Sequence, residues 1–411
     1  MKNNYFRRWL VLSALFAFLC ISPHGLLRAQ STANYAFTTN TTGSLGLDMN
    51  GNTVDMSTGT TQLVASAQDA TASSVLTIGF DFFLMGNRYT QFSASADGYV
   101  GLGATAVSGT ANGTASTTTP KISAMGGDLY VGATGKVHYK LVGTAPNRCL
   151  VVEFNNMAVF YSTTGSNAVN TYQVRLYETS GVVEFVYGNM YCGSTTYAPG
   201  YVGFSVGSLA NTNASVTTST NTVSTGATFN TNTYTGASNI ANLNSAAEGS
   251  RRVYRFTPPA VPAAPTSLSF TGVGSSYMTL NWVDNSTTEY GFIISRSLDG
   301  ITYTNVGTAP ANATSYLATG LSPNTLYYWN VTAVSESGFS SPVLSGTQST
   351  LSCSPISGIK TVGAGGDYPN LTIAFSEINS CTLSGNTELQ LIAGYPAAAE
   401  TYPITGPTTT P

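Results

Sequence analysis

The stretch Leu321-Ser-Pro323-Asn-Thr325-Leu-Tyr327-Tyr-Trp329-Asn-Val331-Thr-Ala333-Val334 decides the fold of its region. Tyr327, Trp329, Val331 and Ala333 alternate onto one face of a strand, and Leu321 and Pro323 fix the corner through which the chain reaches it. Upstream, Met278, Leu280 and Trp282 alternate in the same way and read as a strand of a facing sheet. A tyrosine buried at such a corner needs a partner for its hydroxyl, and upstream backbone supplies one. Phe292-Ile-Ile294-Ser-Arg-Ser-Leu-Asp299-Gly300 adds a strand followed by an Asp-Gly turn. This is the patterning of a sandwich, with Trp282, Tyr327 and Trp329 as structural residues.

Those residues resemble a fibronectin type III domain over 262–350, with the domain proper at 266–350. The resemblance implies a binding or spacer module and names no ligand.

The N-terminus carries Lys2, Arg7 and Arg8, an apolar run from Trp9 to Ile21, and Arg28-Ala29 before a Ser/Thr-rich start. This reads as a secretory signal peptide over 1–29, cleaved near Ala29. The run falls short of the ~20 residues of a membrane span, and Leu19 stands where a lipidated Cys20 would require a small residue. Membrane insertion is not expected.

Removing residues 1–29 takes away four basic residues and no acidic one. That leaves 11 Lys+Arg against 18 Asp+Glu, a net charge of about −7, which argues against nucleic acid as a partner. Only 8% of the 411 residues are charged while aromatics reach 11%, which suits short strands joined by polar turns. The expected class is secreted, all-β and multidomain.

Residues 30–257 read as one large β-sandwich. Val75 to Phe83 is an apolar strand, Phe92 to Leu102 a hairpin through Asp97-Gly98, and Lys136 to Leu141 alternates. Three runs beginning at Cys149, Tyr172 and Val182 follow closely, as in an antiparallel meander. Residues 207–250, rich in Thr, Asn and Ser, read as edge strands and loops, and Arg251 to Phe256 as the closing strand. Several elements within about 75–206 resemble a nidogen-like extracellular domain: Asp128 after a Gly pair, Gly135-Lys-Val137-His-Tyr139, Val151-Val-Glu153-Phe-Asn155-Asn156-Met, Asn170-Thr-Tyr172-Gln173-Val174-Arg-Leu176 and Val183-Glu-Phe185-Val-Tyr187-Gly188. Phe154 stands where that family usually carries Trp. Residues 258–265, Pro-Pro-Ala-Val-Pro-Ala-Ala-Pro, form a stiff linker expected to hold the two sandwiches apart.

After Leu351 the pattern changes. A strand at Ile359 to Val362, a Gly-rich turn ending in Asp367-Tyr368-Pro369, helical spacing from Leu371 to Ile378 and a strand from Glu388 to Ala393 follow in order. The order is similar to the N-terminal cap and first coil of a pectin-lyase-like right-handed parallel β-helix, over 357–411 within a segment 351–411 that reads as the start of a truncated β-helix. In that reading Cys353 lies before the first strand and Cys381 after the capping helix, so a bridge between them staples the helix in place. Cys149 and Cys192 remain as further candidates for a bridge, although a simple meander puts them at opposite ends.

No residue stands out as catalytic. His138, the one histidine left after residue 29, sits inside an alternating strand. Asp128, Glu153, Glu178 and Glu184 fit turns or strand faces. Gly363-Ala-Gly365-Gly366-Asp367 lacks the Lys-Ser/Thr of a phosphate loop. No cofactor or metal is expected. Aromatic residues around Cys192 suggest recognition instead, with Tyr191, Tyr197 and Tyr201 as candidate binding residues. The expected function is a secreted or cell-surface binding or adhesion protein without catalytic activity, its ligand an extracellular protein or polysaccharide. Such mosaics resemble large proteins exported by a type IX secretion route. The alternative is the accessory N-terminal part of a polysaccharide-degrading enzyme whose catalytic β-helix is truncated.

Overall fold

The structure is a computed structural model that describes residues 30–110, 113, 115–116, 118–161, 169–194, 198–393 and 395. The first domain is a sandwich of two large antiparallel sheets. Seven strands form one of them, in the order Ala36–Gly43, Arg251–Thr257, Val183–Tyr187, Asn170–Tyr177, Cys149–Ala158, Tyr130–Val142, Thr61–Val64. The first strand thus pairs with the last of the domain, so the chain closes on itself before the linker. The facing sheet runs Thr222–Gly226, Asn213–Thr217, Ala198–Ser205, Lys121–Gly126, Val100–Leu102, Asn87–Ala94, Leu76–Leu84, with Thr231–Tyr234 also paired to Ala198–Ser205.

Period-two patterning builds the core. In Leu76–Leu84, Ile78, Phe80, Phe82 and Leu84 point inward while Thr77, Gly79 and Asp81 face out. Phe82, Phe92, Phe154, Phe185 and Phe204 are all fully buried, and each contributes roughly 1.5–3 kcal/mol by leaving water. The seven-stranded sheet is also covered on its outer face. Val54 and Met56 pack there on Val142, Cys149, Val151, Tyr177 and Val182. Residues that a simple two-layer sandwich would expose are therefore interior.

The turn at Asp97-Gly98 joins Asn87–Ala94 to Val100–Leu102, with Phe92 opposite Leu102 and Ala94 opposite Val100. Gly98 has φ +81°, and a side chain there would meet the Met125 carbonyl oxygen at 1.9 Å. Only glycine fits.

The second sandwich has a three-stranded sheet, Thr266–Thr271, Met278–Val283 and Ser315–Ala318. Its other sheet is Thr304–Pro310, Gly291–Ser297, Leu326–Ser335 and Gly338–Phe339, with Leu344–Ser349 paired to Leu326–Ser335. Met278, Leu280 and Trp282 meet Phe292, Ile294, Trp329 and Val331 in the core. The Tyr327 hydroxyl accepts from the Ser322 N–H at 2.8 Å, which fixes the corner.

The linker does not hold the sandwiches apart, contrary to its proline content. Its carbonyls are bound by the second sandwich: Pro259 O accepts from Ser337 Oγ, Ala260 O from Thr288 Oγ1 and Ala264 O from Asn285 Nδ2. This draws the 335–339 turn against the first sandwich. There, buried Glu336 accepts from Ser31 N and Asn34 Nδ2, and Phe83 meets Phe339 edge to face at 5.4 Å.

The C-terminal unit pairs Ile356–Val362 with Leu383–Leu391 in parallel through the helix Leu371–Ser380. Asn370 caps that helix, its side chain accepting from Ile373 N. Ile356, Ile378 and Cys381 form its small core. Docking on the second sandwich supplements it: Glu377 accepts from the backbone N–H groups of Ser275 and Ser276 at 2.9 and 3.0 Å. Cys353 and Cys381 are disulfide-bonded. Cys149 and Cys192 are not. Cys149 lies under the outer cover of the seven-stranded sheet and Cys192 in the main core, each a buried free thiol.

Candidate functional site

The side chains that could suggest acid–base chemistry lie in two rows across the outer face of the seven-stranded sheet. In the first, cross-strand neighbours His138, Glu153 and Gln173 are joined: His138 Nε2 lies 2.9 Å from Glu153 Oε1, and Glu153 Oε2 accepts from Gln173 Nε2 at 2.7 Å. In the second, Glu184 sits between its cross-strand partners Arg175 and Arg255 and is bonded to both, while also accepting from Tyr177 Oη at 2.8 Å. Arg175 is 1% exposed. Its guanidinium donates to the carbonyls of Ser44, Leu45 and Leu47. The rows therefore fasten the 44–58 cover to the sheet, and paired, covered charges of this kind are structural. Glu178 is held by Arg148, whose hydrogen bonds keep its carboxyl below the usual range.

A different region is open to solvent. At one margin of the eight-stranded sheet, the 217–219 turn, the strand Thr231–Tyr234 and the short ribbon Tyr191–Cys192 with Ser238–Asn239 enclose a cleft of about 420 Å³. Thr217, Ser219, Thr233, Thr235 and Asn239 are exposed residues of its lining, and no described lining residue is charged. Asn232 braces the wall, donating to Gly200 O and Val216 O and accepting from Thr218 N.

Of the three candidate tyrosines, Tyr191 belongs to the ribbon beside this cleft, its hydroxyl donating to Ala237 O. Tyr197 lies outside the described residues. Tyr201 does not join Tyr191. It packs half-buried on Phe229 and against Tyr99, on the opposite side of its strand from the core residues Val202 and Phe204.

A third feature is a convergence of carboxylates. Asp69, Asp97 and Asp128 each bring an oxygen within 4.8 Å of the others. Burial, with the charges of Asp128 and Asp69 beside it, pushes the Asp97 carboxyl up to about 7. Burial likewise raises that of Asp128.

With this architecture in place, residues 34–258 match the family model described as "NIDO related", more than half of the chain. The chain belongs to the NIDO-related family. The match extends the nidogen-like resemblance at both ends, to the first strand and the closing strand of the sandwich.

Residues 263–347 match the fibronectin type III model. Among solved structures, similarity is found to an FN3 domain of human collagen XX (27% identity, covering 22% of this chain and 99% of that one, TM-score 0.18). Another is the sixth fibronectin type III domain of human fibronectin type III domain containing protein 3 (23% identity, 24% and 94%, TM-score 0.21). No curated protein matches the chain. Among the described residues no helix is long and apolar enough to cross a membrane. A NIDO-related domain joined to a fibronectin type III domain fits an extracellular binding or adhesion-type protein.

Within the NIDO-related domain, two features escaped sequence reasoning. The cleft is built from the Thr/Asn/Ser stretch 207–250, whose weak alternation marked strands but not how they would fold over Cys192. The aspartates come from turns far apart in the chain, and no spacing rule connects them.

Proposed function

We propose that this chain is a secreted or cell-surface adhesion protein that binds without turning its ligand over, and that the NIDO-related domain takes a neutral polysaccharide in the cleft beside Tyr191. The observation that carries this reading is the cleft's lining. Exposed threonine, serine and asparagine residues line the cleft and match sugar hydroxyls in donor and acceptor character, and Tyr191 stands next in the chain to the lining residue Cys192. An acidic or basic ligand would find no countercharge among its lining residues. The fibronectin type III domain acts as the spacer, holding the NIDO-related domain at one end and the C-terminal unit at the other. Tyr201 belongs to a separate aromatic patch and contributes little to this site.

The test is a glycan array probed with residues 30–411 and with Thr233→Arg, which fills the cleft from an exposed position. Neutral polysaccharide binding lost in the variant supports the reading; binding unchanged by the variant, or confined to charged glycans, rejects it.

The parallel pairing of Ile356–Val362 with Leu383–Leu391 favours a second reading, in which this segment opens a β-helix and the chain is the accessory part of a polysaccharide-degrading enzyme. Release of soluble product from the bound glycan, measured in the same samples, separates the two.

A further inference from the structure

Asp69, Asp97 and Asp128 stand on three separate turns at one end of the NIDO-related sandwich. Surface acids often cluster without consequence, but Asp97 is fully buried. Its Oδ1 accepts from Leu129 N at 3.2 Å and its Oδ2 has no partner. A carboxylate oxygen removed from water and left bare is costly, and native structures retain few such atoms without a ligand or function. Eight buried side-chain polar atoms lack a partner among the described residues, and three of them, Ser95 Oγ, Asp97 Oδ2 and Tyr99 Oη, belong to this one turn.

The turns cannot easily part to relieve the repulsion. Gly127 N donates to Asp97 O at 3.0 Å, Ala96 N to Thr71 O at 2.7 Å and Val131 N to Gln68 O at 2.9 Å. The three acids are thus held on backbone that is bonded from turn to turn.

We propose that Asp69, Asp97 and Asp128 form a binding site for a divalent cation, and that the cation is calcium. The ligand set is carboxylate oxygen only, the chemistry of a hard cation. Three carboxylate oxygens within 4.8 Å of one another can share one ion, and turns already fixed by backbone hydrogen bonds suit calcium's flexible shell of roughly 6–8 oxygens better than magnesium's near-ideal octahedron. Asp69 is exposed and Asp128 partly so, which leaves a path for the ion and room for water to complete its shell. Affinity falls in the range of extracellular modules, a Kd on the order of 10⁻⁴–10⁻³ M. Bound there, calcium staples three turns together. It also firms the backbone beside the cleft, because Gly127 packs on Pro199, whose strand partner Thr233 lines it. The site itself does not depend on what the cleft binds.

The test is thermal unfolding of residues 30–411 in EDTA, in CaCl₂ and in MgCl₂, with tyrosine-sensitised Tb³⁺ luminescence as a direct probe of occupancy. At a tenfold excess over Kd, calcium is expected to raise the Tm of the transition in which the NIDO-related domain unfolds by about 2–4 °C. Asp69→Asn and Asp128→Asn should each weaken the response about tenfold or more. Asp97→Asn should abolish it while melting in EDTA no lower than the unsubstituted protein. Should Asp97→Asn fail to fold, exposed Asp69→Asn carries the comparison. No shift and no luminescence at ~10 mM ion, a response to Mg²⁺ alone, or a calcium response unchanged in all the variants would overturn the proposal.

Discussion

Glu336, on a turn of the fibronectin type III domain, accepts a hydrogen bond of 2.5 Å from the side chain of Asn34, 302 residues earlier at the start of the NIDO-related domain. The same carboxylate accepts from Ser31 N, and the Glu336 carbonyl accepts from Gly86 N at 3.0 Å. One residue thus bonds to two segments of the neighbouring domain.

Removing that carboxylate should uncouple the domains. Glu336→Ala takes the acceptor from Ser31 N and Asn34 Nδ2, at about 1.5–3 kcal/mol for each hydrogen bond to a charged group. Calorimetry is expected to show a single transition resolving into two in the variant. Two independent transitions already present in the unsubstituted protein would mean that the contact carries no coupling.

In the fibronectin type III core, Trp282→Ala and Tyr327→Ala are each expected to cost about 3–5 kcal/mol through cavity formation. Tyr327→Phe keeps the ring but takes the acceptor from Ser322 N, at about 1–2 kcal/mol. Urea midpoints of the three variants should follow that order. A Tyr327→Phe loss as large as that of Tyr327→Ala would place the stabilisation in the hydroxyl rather than the packing.

The cysteines should divide into two classes. Closing a loop of 28 residues, the Cys353–Cys381 bridge stabilises the C-terminal unit by roughly 3–4 kcal/mol, and paired serine substitution should make residues 353–393 the first region cut by protease. Cys149 and Cys192 are buried, and burial raises both thiols above their ordinary range. They should resist alkylation in the native protein and react, two per chain, after denaturation. A bridged peptide containing Cys149 or Cys192 would contradict this.

Asp97 should make the metal-free NIDO-related domain less stable as pH rises. Burial first, then Asp128 and Asp69, push its carboxyl to about 7 from an ordinary 3.8, against the opposing Leu129 N–H. The folded state therefore holds the proton more tightly than the unfolded chain. The contribution is complete below about pH 4 and disappears as pH rises through about 7. Asp97→Asn removes this dependence, and in EDTA at about pH 8 it should exceed the unsubstituted domain by a few kcal/mol. Parallel urea midpoints for the two proteins across that range would show that Asp97 titrates normally.

Local patterning made much of the fold legible. The alternation around Trp282 and Trp329 is set by side chains packing across one sandwich, and Asp97-Gly98 marked its own turn because only glycine tolerates that backbone. The helix Leu371–Ser380 was equally visible, since Leu371, Ala374, Phe375 and Ile378 recur at helical spacing. Interactions between distant segments were not. Glu336 looks like any acidic loop residue until the domains meet, and the proline linker suggested separation because its carbonyls, rather than its rings, make the contacts. Glu184 looked like a residue of a strand face, since nothing local announces that residues 44–58 fold over it and Arg175. The cleft and the three aspartates likewise exist only once strands far apart in sequence are adjacent.

The most direct measurement for the binding reading is hydrogen–deuterium exchange of residues 30–411 with and without a neutral polysaccharide selected on the array, together with the mass of the recovered glycan. The expected result is slowed exchange confined to residues 217–219 and 231–241, with the glycan recovered intact. Protection that falls elsewhere, or a glycan recovered in fragments, would contradict a non-catalytic binding cleft in the NIDO-related domain.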